Sequence, residues 1–195
     1  GGDDKTVLAP RYGVWFDVLV KVPGKQTPTG ADVAQLVVPR MTTTAAINVD
    51  VIGVGSSAFD HLPFPNVNGV NFGAGTDLTD KSKLLGFANV RAAAYWLLRE
   101  ALDPNSGLGV CLPDDRELIA DLAAPRWSTR VGKVIIESKD DIKKRIGRSP
   151  DSGDAVALAW WQDFTPPAAS ATVERETPHA APPQSSWNVT RRNRF

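Results

Sequence analysis

Three aspartates occupy positions from which their carboxylates could be brought together for metal chemistry. Asp50 interrupts the apolar run "INVDVI" (47–52), which is typical of a buried strand, where a charge is costly unless it is paired or bound to a metal. Asp151 and Asp154 stand about one turn apart, just after the Ser149-Pro150 pair that predicts the start of a helix. Because hard divalent cations prefer oxygen ligands, we consider these three side chains candidate metal ligands.

Each of these aspartates also has a plainer interpretation. Asp50 could face solvent from an edge strand, although apolar neighbours on both faces of the run favour a covered strand. Asp151 and Asp154 could simply complement the dipole at a helix N-terminus. Taken alone, the two helix residues favour the plainer interpretation, so the metal hypothesis depends on their meeting Asp50.

The loop after Asp50 fits a second kind of site. Residues 53–58, "GVGSSA", match G-x-G-x-x-A, the loop that receives a dinucleotide pyrophosphate, and Asp77 could serve as the ribose-binding acid. Against this, the third glycine is replaced by Ala58 and the following helix must end near Pro63. Asp50 would also place a negative charge beside the pyrophosphate. A dinucleotide-binding domain is therefore the weaker alternative.

A basic run precedes the last predicted helix and could bind phosphates. The segment "SKDDIKKRIGR" (138–148) lies just before Asp151, and phosphate-backbone binding requires cations of this kind. A charge run can equally be a solvated helix face. The candidate DNA-binding residues are Lys139, Lys143, Lys144, Arg145 and Arg148.

Composition excludes several classes of site. The 195 residues carry 22 basic and 22 acidic side chains, so any basic surface must be local. The single cysteine and two histidines exclude a disulfide framework and a Cys- or His-based metal centre. No apolar run approaches the ~20 residues of a membrane span, and no signal peptide is evident, so we expect no membrane partner and an intracellular protein. The opening "GGDDKTVLAP" lacks an initiator Met and suggests a piece of a longer protein.

The predicted elements alternate in type and indicate an α/β domain over residues 1–164. Residues 165–195 are rich in Pro, Ala and Ser, and predict a disordered, flexible tail with a basic-aromatic tip. The predicted strands are Lys5–Ala9, Val14–Val22, Ala45–Ile52, Val67–Phe72 and a hairpin of 126–128 with 133–137. The predicted helices are Gly30–Val38 capped by Thr29, a short one ending at Leu62, Gly86–Leu102, Asp114–Ala123, one opened by Ser138 and ended by Gly147, and one from Ser149-Pro150 to about Gln162.

Taken together, three segments resemble the C-terminal nuclease domain of the large terminase subunits of tailed bacteriophages and prophages. They are "INVDVIGVGSSAFDHL" (47–62), "NVRAAAYWLLRE" (89–100) and, most specifically, "VIIESKDDIKKRIGRSPDSGDAVALAWW" (134–161). The resemblance covers residues 1 to about 161. It implies a ribonuclease H-like fold, in which a mixed central β-sheet is flanked by helices and an acidic cluster binds two Mg²⁺ or Mn²⁺ ions.

The resemblance also implies an activity and its residues. Such domains are endonucleases that cut concatemeric double-stranded DNA during genome packaging in the host bacterial cytoplasm. They act with a packaging ATPase domain and, as further partners, the phage portal and the small terminase subunit. The family's second carboxylate corresponds to Asp50. Its third corresponds first to Asp151 and second to Asp154.

Two departures from the family pattern affect these expectations. The family's first carboxylate lies upstream of Gly1, and Asp3 and Asp4 are poor substitutes, so the activity of this chain by itself is in question. Pro39 would shorten the first helix. The ATPase phosphate-binding loop does not occur in the sequence. A catalytically incomplete module that only binds DNA or the portal is therefore the main alternative.

Overall fold

The structure is a computed structural model that describes residues 4–42 and 44–161. The tail predicted for residues 165–195 lies outside the described residues. The strands are β1 (Lys5–Leu8), β2 (Arg11–Tyr12), β3 (Trp15–Phe16), β4 (Val20–Pro23), β5 (Ile47–Asp50), β6 (Val67–Val70), β7 (Gly86–Phe87), β8 (Trp127–Arg130) and β9 (Lys133–Ile136). The helices are α1 (Gly30–Val37), α2 (Val54–Asp60), α3 (Val90–Leu102), α4 (Arg116–Ala123), α5 (Lys139–Ile146) and α6 (Asp151–Trp160).

In the described part of the chain the strands form four small hydrogen-bonded sheets, with both parallel and antiparallel pairs. β1 and β4 are antiparallel, as are β2 and β3, whereas β5 and β6 are parallel. In the three-stranded sheet β9 lies in the middle, where it pairs with β7 in parallel and with β8 in an antiparallel hairpin. Mixed pairing of this kind, with helices between the strands, confirms the predicted α/β class.

The helix α3 forms the centre of the main core. Its segment "AAAYWLL" (92–98) is buried almost all round, and Ala93, Ala94 and Leu98 are almost fully buried. The helix packs on β9 and on α6. A smaller core joins α1 to the strand β5 through Ala34, Val37 and Ile47. The main core therefore packs against α6, and the smaller core packs against β5, the strand that carries Asp50.

Several predicted boundaries are correct because a local hydrogen bond fixes them. Thr29 caps α1 in a reciprocal capping box with Asp32, and the helix gives way to a 3-10 turn containing Pro39. Ser138 accepts a hydrogen bond from the Asp141 N–H at the start of α5, and Gly147 ends that helix with φ of 79°.

Other predicted elements are wrong in extent. The strand predicted over Val14–Val22 is divided into β3 and β4. The helix predicted from Gly86 begins at Val90, because Asn89 caps it and Gly86 pairs in β7. Ser149 does not cap α6; it is buried, and the N-cap position belongs to Pro150, which forms no side-chain cap.

None of the helices in the described part of the chain has the length and apolar character that crossing a membrane requires.

Candidate active site

The turn that contains Gly53 and Gly55 folds α2 back onto the end of β5, where Asp50 lies. Gly53 adopts φ of +70°, a conformation that favours glycine. A Cβ on Gly55 would lie 1.6 Å from the Asp50 carbonyl oxygen, so only glycine permits this contact. The two glycines thus serve the packing of α2 on the strand end, which gives them a role that requires no bound dinucleotide.

The Asp50 carboxylate is half-buried and faces the start of α6. Its Oδ1 accepts a hydrogen bond from the Ile52 N–H at 3.2 Å, and among the described residues it forms no ion pair. Burial raises the pKa of the Asp50 carboxyl, and the negative charge of Asp154 raises it further, against the lowering effects of the Ile52 N–H and the Lys139 charge. Asp50 is therefore a half-buried carboxylate whose charge the protein compensates only in part, and it feels the negative charge of Asp154.

Asp151 opens α6 and is held from two sides. Its Oδ2 accepts the backbone N–H of Lys5 at 2.7 Å, so the beginning of β1 meets the beginning of α6. Its Oδ1 forms an ion pair with Lys139 Nζ at 2.9 Å. The side chain is only 8 % exposed. Asp151 is thus fixed in place with both oxygens engaged by groups that carry positive charge or an N–H.

Asp154 lies one turn further along α6 and is engaged more heavily. Its Oδ1 accepts hydrogen bonds from Arg91 Nε at 3.1 Å, from Arg91 Nη2 at 3.0 Å and from the Tyr95 hydroxyl at 2.7 Å. Its Oδ2 lies 3.4 Å from Lys139 Nζ. Burial raises the pKa of the Tyr95 hydroxyl well above its usual value, with the Asp154 charge adding to the shift, so Tyr95 stays a donor. Three donors on one oxygen suit a supporting carboxylate better than a freely available ligand.

Lys139 bridges the two helix carboxylates with a single ammonium group. Burial lowers the pKa of Lys139, but the charges of Asp154 and Asp151 outweigh that effect and raise it overall. The group therefore remains charged at neutral pH. A cation between two carboxylates, with a third facing them, is the charge distribution that a divalent ion would also satisfy.

The oxygen donors of this site are of the type that a divalent metal ion binds, but the described residues do not form a complete set of ligands. The Lys139 ammonium contacts carboxylate oxygens of Asp151 and Asp154, and Mg²⁺ or Mn²⁺ prefers such donors. Among residues 4–42 and 44–161, however, no group of three His, Cys, Asp or Glu side chains is placed to hold an ion. Asp4 lies nearby at the start of β1, but its carboxylate pairs with Lys143 Nζ at 2.8 Å. Asp3 lies outside the described residues.

The predicted DNA-binding cations all have acidic partners in this structure. Lys139 contacts Asp151 and Asp154, and Lys143 contacts Asp4. The other three pairs are Lys144 with Asp141 at 3.5 Å, Arg145 with Glu137 at 2.5 Å, and Arg148 with Asp121. Lys144 is the most exposed of these side chains, at 78 %. Four of the five residues belong to α5 and Arg148 follows it, and of these Lys139 contacts the carboxylates of α6.

Sequence reasoning missed two residues that shape the site. Arg91 and Tyr95 lie one turn apart on α3, so both reach Asp154 from the same face. Arg91 also donates through Nη1 to the Glu137 carbonyl at 2.8 Å, which ties α3 to the end of β9. The sequence shows Arg91 and Tyr95 among the apolar residues of positions 90–98, which indicates that each needs a polar partner but not which partner it has.

Comparison with solved structures identifies the fold. The nuclease domain of the large terminase subunit gp2 of bacterial virus Sf6 superposes with a TM-score of 0.57 at 16% identity, covering 83% of this chain and 84% of that one. The chain has the fold of a terminase nuclease domain. A point mutant of the gp2 domain with calcium gives a TM-score of 0.61 at 18% identity, and one with manganese and beta-thujaplicinol gives 0.58 at 17%, each with the same coverage.

The terminase nuclease fold confirms the predicted ribonuclease H-like class. No protein-family model and no curated protein sequence matches the chain. The likeness therefore rests on backbone architecture. In this chain Asp50 ends β5, and Asp151 starts α6, which packs on that strand.

Proposed function

We propose that this chain is the nuclease domain of a phage DNA-packaging terminase, a Mg²⁺- or Mn²⁺-dependent endonuclease that cuts concatemeric double-stranded DNA. The observation that carries the proposal is that β5, which ends at Asp50, packs on α6, which begins with Asp151 and carries Asp154, within the fold shared with gp2. The shared fold with gp2, which has been solved with manganese and with calcium, supports it.

The proposed roles follow from how each carboxylate is held. Asp50 and Asp151 would bind the ions, because each accepts fewer hydrogen bonds from protein groups than Asp154 does. When bound, such ions lower the pKa of an attacking water and stabilise the leaving 3′ oxygen of a phosphodiester. Asp154 would support the site from its fixed position against Arg91 and Tyr95. Lys139 would move from the carboxylates to a phosphate when DNA and metal are present.

The further partners are part of the same proposal. A packaging ATPase domain would bring DNA to the site, and the phage portal and small terminase subunit would be additional partners in the host cytoplasm. The cations on and beside α5 would contact the DNA backbone without reading sequence, since phosphate contacts carry no base information.

Mutation of the two proposed ligands tests the activity. In the full-length protein, Asp50→Asn and Asp151→Asn should each abolish Mn²⁺-dependent nicking of supercoiled plasmid. Asp60→Asn, an exposed aspartate at the end of α2, is the matched control and should leave nicking unchanged. Nicking at the unmodified rate by either ligand mutant would refute the assignment.

A catalytically incomplete module that only binds DNA or the portal is the second candidate. The absence of a three-carboxylate group among the described residues favours it. In that case the full-length protein would bind DNA, would not cleave it with Mn²⁺ or Mg²⁺, and would bind DNA equally well after Asp50→Asn. Metal-dependent cleavage that requires Asp50 would exclude this candidate.

A further inference from the structure

Asp121 is the most deeply buried carboxylate of the described chain that lies outside the proposed ligand set. It belongs to α4, its exposure is 0%, and it packs against the first turn of α6. Its Oδ2 accepts the backbone N–H of Ser152 at 3.0 Å. Ser152 follows Asp151 directly, so Asp121 reaches the turn that presents the proposed metal ligand.

The start of α6 needs an acceptor from elsewhere in the fold. The first N–H groups of any helix lack intrahelical partners, and a polar side chain at the N-cap normally supplies one. Here the N-cap is Pro150, and no side chain of the cap position accepts a hydrogen bond. A carboxylate from α4 performs the function instead, and its negative charge also complements the positive end of the helix dipole.

The contact between the two helices is close and specifically built. A Cβ on Gly153 would lie 3.1 Å from the Asp121 backbone carbon, Cβ and carbonyl oxygen, so glycine allows α6 to approach α4 at this point. Arg148, just before α6, forms an ion pair with Asp121 and lies 3.9 Å from Glu117 on the same helix α4. The buried negative charge therefore has a cationic partner, as burial requires.

We propose that Asp121 is a positioning residue for the nuclease site: it holds the first turn of α6 so that Asp151 keeps the orientation in which it meets the Lys5 N–H and Lys139. The proposal rests on the proposed function, because orientation of Asp151 has a catalytic consequence only if Asp151 binds metal. Asp121 itself does not touch the reacting atoms. It acts through the Ser152 N–H and the adjoining peptide.

Two substitutions at Asp121 and one matched control test this role in the 195-residue chain. Asp121→Ala removes the acceptor, whereas Asp121→Asn keeps an oxygen that can accept from Ser152. Asp80→Ala is the control, because Asp80 is also buried and also accepts backbone N–H groups, from Leu84 and Leu85, in a loop away from α6. The measurements are hydrogen exchange of the Ser152 amide by NMR and Mn²⁺ affinity from paramagnetic broadening of the Asp151 signals.

We expect Asp121→Ala to abolish protection of the Ser152 amide and to weaken Mn²⁺ binding by about 10- to 100-fold, the range typical of a lost supporting contact. Asp121→Asn should restore most of both, and Asp80→Ala should lower stability without changing either. If Asp121→Ala does not fold, Gly153→Ala provides the test, since it should separate α6 from Asp121 and expose the same amide.

Unchanged protection of Ser152 in Asp121→Ala would overturn the proposal, as would an equal loss of Mn²⁺ affinity in Asp80→Ala. Failure of the unmodified chain to bind Mn²⁺ would count against the proposed function. In that case the Ser152 exchange rate and the Asp151 chemical shift still decide whether Asp121 positions α6.

Discussion

Replacing Arg91 with methionine should remove the main support of Asp154. The Arg91 side chain is 12% exposed, and three of its N–H groups are used: two on Asp154 Oδ1 and one on the Glu137 carbonyl. Methionine fills part of the space but leaves the 14% exposed Asp154 carboxylate without its closest cation. Removing one partner of such a buried pair costs about 3–5 kcal/mol.

The lower end of that range applies here, because Asp154 keeps Tyr95 and the more distant Lys139. A loss of about 3 kcal/mol in a protein of this size lowers the melting temperature by about 6–12 °C. Urea unfolding followed by tryptophan fluorescence measures the free energy directly. Arg99→Met is the matched control: it lies on the same helix, is exposed, and stacks on Trp96 at 4.7 Å from the ring centroid, a contact worth about 0.5–1 kcal/mol.

A double-mutant cycle separates the ion pair from simple packing. Asp154→Asn removes the charge that Arg91→Met leaves unpaired, so the double mutant should lose less stability than the sum of the two single mutants. The reasoning would be refuted if Arg91→Met were no more destabilising than Arg99→Met. Additive losses in the cycle would refute it as well.

Three further predictions concern the same site. Asp50→Asn should raise the free energy of unfolding at pH 7, because burial raises the pKa of Asp50 and makes its charge unfavourable in the folded state. Denaturant titrations should show this gain in stability disappearing as the pH falls below the ordinary pKa of 3.8. A gain that stays constant with pH would contradict this cause. Lys139→Met should increase Mn²⁺ affinity in calorimetric titrations, since the ammonium occupies the position between Asp151 and Asp154; weaker binding would show that Lys139 assists metal binding instead. Asn48→Ala should lower the free energy of unfolding in urea by about 1–3 kcal/mol, because the Asn48 amide donates to the Leu158 and Trp161 carbonyls at the end of α6. An unchanged urea midpoint would exclude that contribution.

The sequence predicted features that depend on neighbouring residues. The Thr29 capping box, the Ser138 cap and the Gly147 stop are short-range hydrogen-bond patterns, and each is found in the structure. The position of Asp50 at a strand end also followed from local pattern, because an apolar run before a glycine turn has few other conformations.

Features that depend on distant residues were not predictable in this way. Arg91 meets Asp154 across 63 positions, and Asp121 meets Ser152 across 31, so no local spacing indicates either contact. Arg91 and Tyr95 have no local feature that sets them apart in a helix-forming segment, and Asp121 is one of two acids on α4. Their partners become apparent only when the core brings α3, α4 and α6 together.

The carboxylates that pair with the lysines of α5 would compete with DNA phosphates for the same cations. Binding of the DNA backbone to Lys139 or Lys143 would be an exchange of one anion for another, so affinity should fall with salt less steeply than the usual slope of about −0.9 for each neutralised phosphate. Departure of Lys139 would also free one oxygen of each helix carboxylate, Asp151 Oδ1 and Asp154 Oδ2. DNA and a divalent ion would therefore each strengthen the binding of the other, by the same factor in both directions, and the pair would assemble the site that neither completes alone.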